Sequence, residues 1–135
     1  MLHHVLIIDD EKEVRDVIQL QLGGSRYEVL EAEDGEQGIA FLNENALTVD
    51  VIICDVRMPK INGVEAVKYF HQEYPSTPVI VLTGYPDVNL AVEFMKQGAV
   101  EYLVKPVEKE QLIAAVENAA AKRTLFSGND GQMKP

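Results

Sequence analysis

Val5-Leu6-Ile7-Ile8 runs without a break into Asp9-Asp10-Glu11 near the start of the chain. A continuous apolar run of this length suits a strand covered on both faces, and such strands belong to parallel sheets. The form recurs. Val51-Ile52-Ile53-Cys54 leads into Asp55, Val79-Ile80-Val81-Leu82 into Thr83-Gly84, and Tyr102-Leu103-Val104 into Lys105-Pro106. Tyr27-Glu28-Val29-Leu30 reads as one more strand. Helical periodicity fills the gaps. Val14, Val17, Ile18 and Leu22 share a stripe closed by Gly23-Gly24, and a second helix runs from about Gly35 to Asn43 behind an Asp34 cap. A third follows Asn62-Gly63 and stops before Pro75. Asp87 caps a fourth that ends at Gly98, and a fifth carries Leu112, Ile113, Val116 and Ala120. Regular β-α alternation with short connections predicts a doubly wound α/β fold, a parallel sheet between helices.

The 135 residues, 47% of them hydrophobic and 25% charged, suit one globular domain with a substantial core. We read residues 1–126 as that domain and 127–135, which include Ser127-Gly128-Asn129-Asp130-Gly131, as a flexible polar tail. Met1-Leu2-His3-His4 lacks the basic region and apolar stretch of a signal peptide, and no run is long enough to span a bilayer. A cytoplasmic protein with no membrane partner is expected. Cys54 has no second cysteine to pair with and reads as a small buried hydrophobe. Twelve basic residues against 22 acidic ones leave a net charge of −10, so direct nucleic-acid binding is not expected.

In an open parallel sheet, ligands bind beyond the carboxyl ends of the strands. Read off in order, those ends supply Asp9, Asp10, Asp55, Thr83 and Lys105. Close carboxylates repel one another and require shifted pKa values or a cation. An all-oxygen anionic set suits a hard ion such as Mg2+, which keeps waters and binds substrate phosphate. Each residue alone means little: an Asp-Asp pair is usually a cap and a solvated acid, and a Lys-Pro is usually a turn. Their joint placement on consecutive strand ends carries the signal. A calcium loop starting at Asp9 would need Gly at its sixth position and Glu at its twelfth, where Val14 and Leu20 stand. There is no phosphate-binding loop ending Gly-Lys-Ser/Thr, and His3, His4 and His71 have no partners at metal spacing.

The chain resembles the receiver domains of two-component response regulators over roughly Val5 to Lys122. The resemblance rests on Ile8-Asp9-Asp10-Glu11, Asp55-Val56-Arg57-Met58-Pro59 with Gly63, Leu82-Thr83-Gly84-Tyr85, Gly98-Ala99 and Tyr102-Leu103-Val104-Lys105-Pro106. It implies a flavodoxin-like three-layer sandwich with strand order 2-1-3-4-5 and a cis Lys105–Pro106 peptide. It also implies that Asp55 is the phospho-acceptor. Asp10, Asp55 and the backbone carbonyl of Arg57 would hold Mg2+, with Asp9 acting through a bound water or at the edge of the shell. Thr83 and Lys105 would contact phosphoryl oxygens. Met58-Pro59 and Gly63 would shape the loop, and Glu11 would be a first-turn acid favoured by the helix dipole.

Thr83 and Tyr102 resemble the family's hydroxyl–aromatic switch pair, acting on the face of the fourth helix, fifth strand and fifth helix. That face would engage an output domain, a downstream protein or, on phosphorylation, a second copy. Phosphate would come from a sensor histidine kinase or a histidine phosphotransfer protein. Arg57 and Tyr85 occupy positions that in the family flank the path of the attacking water, and a long guanidinium and a phenol there predict slow hydrolysis. A haloacid-dehalogenase-type phosphatase would want an acid where Arg57 stands. An FMN carrier would place phosphate in a first loop that Asp9-Asp10-Glu11 makes repulsive. The remaining alternative is a receiver-like interaction module that works without phosphorylation. Output domains in the family include DNA-binding, ATPase and enzymatic modules, so a role in transcription regulation would come through a separate domain.

Overall fold

The computed structural model describes residues 3–24, 26–58 and 61–133. Its strands are β1 (His3–Ile8), β2 (Tyr27–Ala32), β3 (Val51–Asp55), β4 (Val79–Thr83) and β5 (Glu101–Val104). They form one parallel sheet in the order β2-β1-β3-β4-β5. The helices are α1 (Lys12–Leu22), α2 (Gly35–Asn45), α3 (Gly63–Glu73), α4 (Val88–Lys96) and α5 (Lys109–Met133). The expected fold class and strand order both hold.

Alternation along the central strands divides the core. Val5 and Ile7 of β1 face Ile18 and Leu22 of α1 and Leu112 and Val116 of α5. Leu6 and Ile8 face the opposite way, toward Leu42 of α2, Val67 and Phe70 of α3 and Phe94 of α4. All of β3 and β4 is buried, which is why their sequences read as unbroken apolar runs. Phe70 is completely enclosed, and its truncation to Ala would cost about 3–5 kcal/mol.

Local signals fix the helix starts. Asp34 accepts from Gln37 N at 2.8 Å, Asn62 from Val64 N at 2.9 Å, and Asp87 from Leu90 N at 3.1 Å. At α3, a Cβ on Gly63 would lie 2.5 Å from Val56 Cβ and 2.6 Å from its carbonyl oxygen. Only glycine lets the helix start this close to the residue that follows Asp55.

Two features depart from the sequence reading. Arg57–Met58 and Ile61–Asn62 pair as a small antiparallel ladder after β3. Strands of two residues are too short to show an alternation. The backbone of α5 continues as helix to Met133, through the stretch from Ser127 that composition marks as a tail. Its packed positions Leu112, Val116 and Ala120 lie well before that stretch. Extending a formed helix costs little per residue, so a well-anchored first half can carry weak helix formers beyond it. Residues 134 and 135 lie outside the described residues.

Candidate functional site

The register of the sheet assembles the site. Ile8 lies beside Cys54, so Asp9 emerges level with Asp55. Asp55 lies beside Leu82 and Thr83 beside Val104, which puts the hydroxyl and then Lys105 at the same end of the sheet. Lys105 N donates to Thr83 O at 2.7 Å, continuing the ladder to the base of the lysine. The Lys105–Pro106 peptide is cis.

Lys105 Nζ lies 2.9 Å from Asp9 Oδ2, 3.5 Å from Asp55 Oδ2 and 3.5 Å from Glu11 Oε1. Asp9, Asp55 and Thr83 are buried, whereas Asp10 and Glu11 are exposed at the rim. One carboxylate oxygen from each of Asp9, Asp10, Glu11 and Asp55 can be chosen so that all lie within 4.8 Å of one another. This all-oxygen donor set, open to water on the Asp10 side, fits a small hard dication. Glu11 belongs to the cluster, beyond the helix-dipole role read from sequence.

Burial raises the Asp9 carboxyl above its ordinary pKa and the Asp55 charge adds to that, against the lowering contacts of the Glu11 N–H and Lys105. For Lys105, burial opposes the charged form. The hydrogen bond to Asp9 and the charges of Asp55, Asp9 and Glu11 outweigh it and raise the ammonium above its usual value. The lysine is therefore a fixed cation. Burial, followed by the charges of Asp55 and Asp9, pushes the Cys54 thiol up to about 12, so Cys54 is core rather than nucleophile.

Around the cluster, Thr83 Oγ1 accepts from Tyr85 N at 3.1 Å. Tyr102 stacks on Phe94, with ring centroids 6.3 Å apart, and its hydroxyl accepts from Asp87 N at 3.2 Å. The aromatic ring is thus tied to the start of α4. Tyr85 stands 65% exposed at the rim. Arg57 has described backbone in the short ladder after Asp55, while its side chain lies outside the described residues, as does all of Pro59.

Sequence reading missed Arg15. It is 7% exposed, and its guanidinium donates to Glu31 Oε1 at 2.8 Å and to the carbonyl oxygen of Asp9 at 2.8 Å. Gln19 holds the other Glu31 oxygen at 3.0 Å. An arginine one residue past Val14 on the apolar stripe was the available signal. An apolar groove of about 440 Å³ also opens beside Lys105, lined by Val14, Val17, Leu82, Pro106 and Val107.

The acids and Lys105 thus gather at the carboxyl edge of a doubly wound sheet, where such folds bind their ligands. The family model of the response regulator receiver domain matches residues 5–117, and the chain belongs to that family. A receiver domain protein from Clostridium thermocellum is similar in structure, with TM-score 0.86 and 37% identity over 93% of this chain and 99% of its own. The transcriptional regulatory protein FixJ of Bradyrhizobium diazoefficiens is 37% identical over 86% of this chain and 56% of its own length. The transcriptional regulatory protein ZraR of Klebsiella oxytoca is 34% identical over 90% of this chain, which spans only 27% of ZraR. The similarity to these regulators is thus confined to part of their length. None of the helices, among the described residues, is long and apolar enough to cross a membrane.

Proposed function

We propose that this chain is a Mg2+-dependent phospho-acceptor of a two-component pathway, working in the cytoplasm, with Asp55 as the acceptor. The observation that carries the reading is the buried Asp55 carboxylate, 3.5 Å from the fixed cation Lys105 and inside a four-carboxylate cluster. A carboxylate oxygen of Asp55 attacks the phosphorus of a phosphohistidine on a sensor kinase or phosphotransfer protein. The P–N bond breaks, and the histidine nitrogen leaves with the bonding pair. Lys105 balances charge on the transferring group and Thr83 supplies a hydroxyl to it. Asp10, Asp55 and the Arg57 carbonyl would hold the metal, with Asp9 at its edge, and the ion would neutralise the phosphoryl oxygens. The apolar groove beside Lys105 gives a protein donor a surface to bear on.

The proposed switch begins at Thr83. Turning its hydroxyl toward a phosphoryl group gives up the Tyr85 N–H, a bond worth about 1 kcal/mol net. Tyr102 then leaves the Asp87 N–H and alters the start of α4. Val88, Leu90, Val92 and Met95 of α4 and Val104 of β5 already expose apolar side chains there. This surface suits an output domain, a downstream protein or a second copy. The acidic surface supports an output exerted through such a partner rather than by direct nucleic-acid contact.

Incubation with acetyl phosphate and Mg2+ should add one hydroxylamine-labile phosphoryl group to the parent and none to Asp55→Asn. Equal labelling of both would overturn the assignment of Asp55, whereas no labelling of either would favour an interaction module that works without phosphorylation. With a beryllofluoride mimic, sedimentation or partner binding should change; identical behaviour would remove the switch.

A further inference from the structure

We propose that Arg15 is a positioning residue for the acid cluster, holding the β1–α1 turn so that Asp9 and Asp10 face the cation site. The inference rests on the phospho-acceptor reading of that site. Arg15 sits on the second turn of α1, and its side chain is 9% exposed. One arm of the guanidinium donates to the carbonyl oxygen of Asp9, the peptide that joins Asp9 to Asp10. Another donates to Glu31 on the edge strand β2, whose second oxygen is held by Gln19. Glu33 lies 3.9 Å away on the outer side.

The turn itself explains why such a brace is needed. Glu11 starts α1 with no side-chain cap of its own, and Asp9 Oδ1 takes the Glu11 N–H instead at 2.8 Å. The other helices whose caps are described use Asp34, Asn62 and Asp87. At α1 the acid in reach also belongs to the site, so its peptide must be fixed by something else. A planar fork held at both ends by acceptors does that; an ammonium offers one point and no plane.

Charge and positioning predict opposite signs, which makes the idea testable. Removing a cation near four carboxylates, by charge alone, should tighten the binding of Mg2+. If Arg15 acts by holding the Asp9 peptide, the same change should weaken it, by about 10-fold as for other groups that orient metal ligands. The experiment is a Mg2+ titration of the parent, Arg15→Ala and Arg15→Lys, each first shown to be folded by its circular dichroism. The lysine variant keeps the charge and loses the fork, so it remains informative if the alanine variant does not fold. Weaker Mg2+ binding by Arg15→Lys, and by Arg15→Ala where it folds, supports the proposal. It should be accompanied by acetyl phosphate labelling that recovers at saturating Mg2+. Parent-like affinity in Arg15→Lys, or tighter binding by Arg15→Ala, overturns it while leaving the reading of Asp55 intact. A parent that binds no Mg2+ overturns both.

Discussion

The two ends of the sheet carry charge in opposite ways. At the amino end, Asp50 accepts the His4 N–H at 2.8 Å, and Arg123 of α5 lies 3.4 Å from the same carboxylate. Arg123 also donates to the carbonyls of Leu47, at 3.1 Å, and Val49. Each charge there is matched by a backbone group or an opposite charge, and the result is a clasp tying α5 to the start of β1. At the carboxyl end, the carboxylates of Asp9, Asp10, Glu11 and Asp55 cluster, and Lys105 reaches three of them, Asp9, Glu11 and Asp55. Both ends are rich in charged groups. What differs is the surplus, and a fold bears a surplus of buried like charge where a ligand supplies the balance.

Removing Lys105 should have the largest effect. Lys105→Ala leaves Asp9 buried without its ion pair, and without Mg2+ it should lose about 3 kcal/mol of stability. Denaturant melts with and without Mg2+ check this, since the ion should restore part of the loss. Asp10→Ala tests the surplus from the other side. Mg2+ at a hundred times its dissociation constant should stabilise the parent by about 2.7 kcal/mol and this variant far less. Without Mg2+, Asp10→Ala should be at least as stable as the parent, because repulsion is relieved.

Breaking the amino-end clasp should act on stability alone. Arg123→Ala should cost about 1–2 kcal/mol while leaving the rate of phosphorylation by acetyl phosphate unchanged. A lower phosphorylation rate in folded protein would show that the two ends are coupled. The smallest and purely kinetic effect is expected at the rim. Replacing both Arg57 and Tyr85 with Ala should speed loss of phosphate from Asp55 without altering Mg2+ affinity. Unchanged decay would remove the role in lifetime proposed for these side chains.

The carboxyl end was legible because its residues directly follow apolar runs of strand length. Once Val5–Ile8 and Val51–Cys54 are adjacent parallel strands, Asp9 and Asp55 must be neighbours. Thr83 and Lys105 follow by the same logic. Arg15 was not legible in this way. Its place on the apolar stripe of α1 was the one local hint, but its partner Glu31 lies sixteen residues away on β2, so the pairing has no local signature. The clasp was hidden for the same reason, since Arg123 and Val49 are 74 residues apart. The ladder at Arg57–Met58 and the extension of α5 escaped notice because one is too short to have a period and the other has a composition that argues against helix.

Phospho-acceptance by this chain depends on the Asp55 carboxylate, and borohydride mapping reads that group directly. After acetyl phosphate treatment with Mg2+, reduction should convert a phosphorylated aspartate to homoserine, identified by peptide mass spectrometry. An acceptor at Asp55 predicts homoserine at position 55, dependent on Mg2+ and absent without acetyl phosphate. An unmodified Asp55 in phosphate-bearing protein, or homoserine at another position, would contradict it.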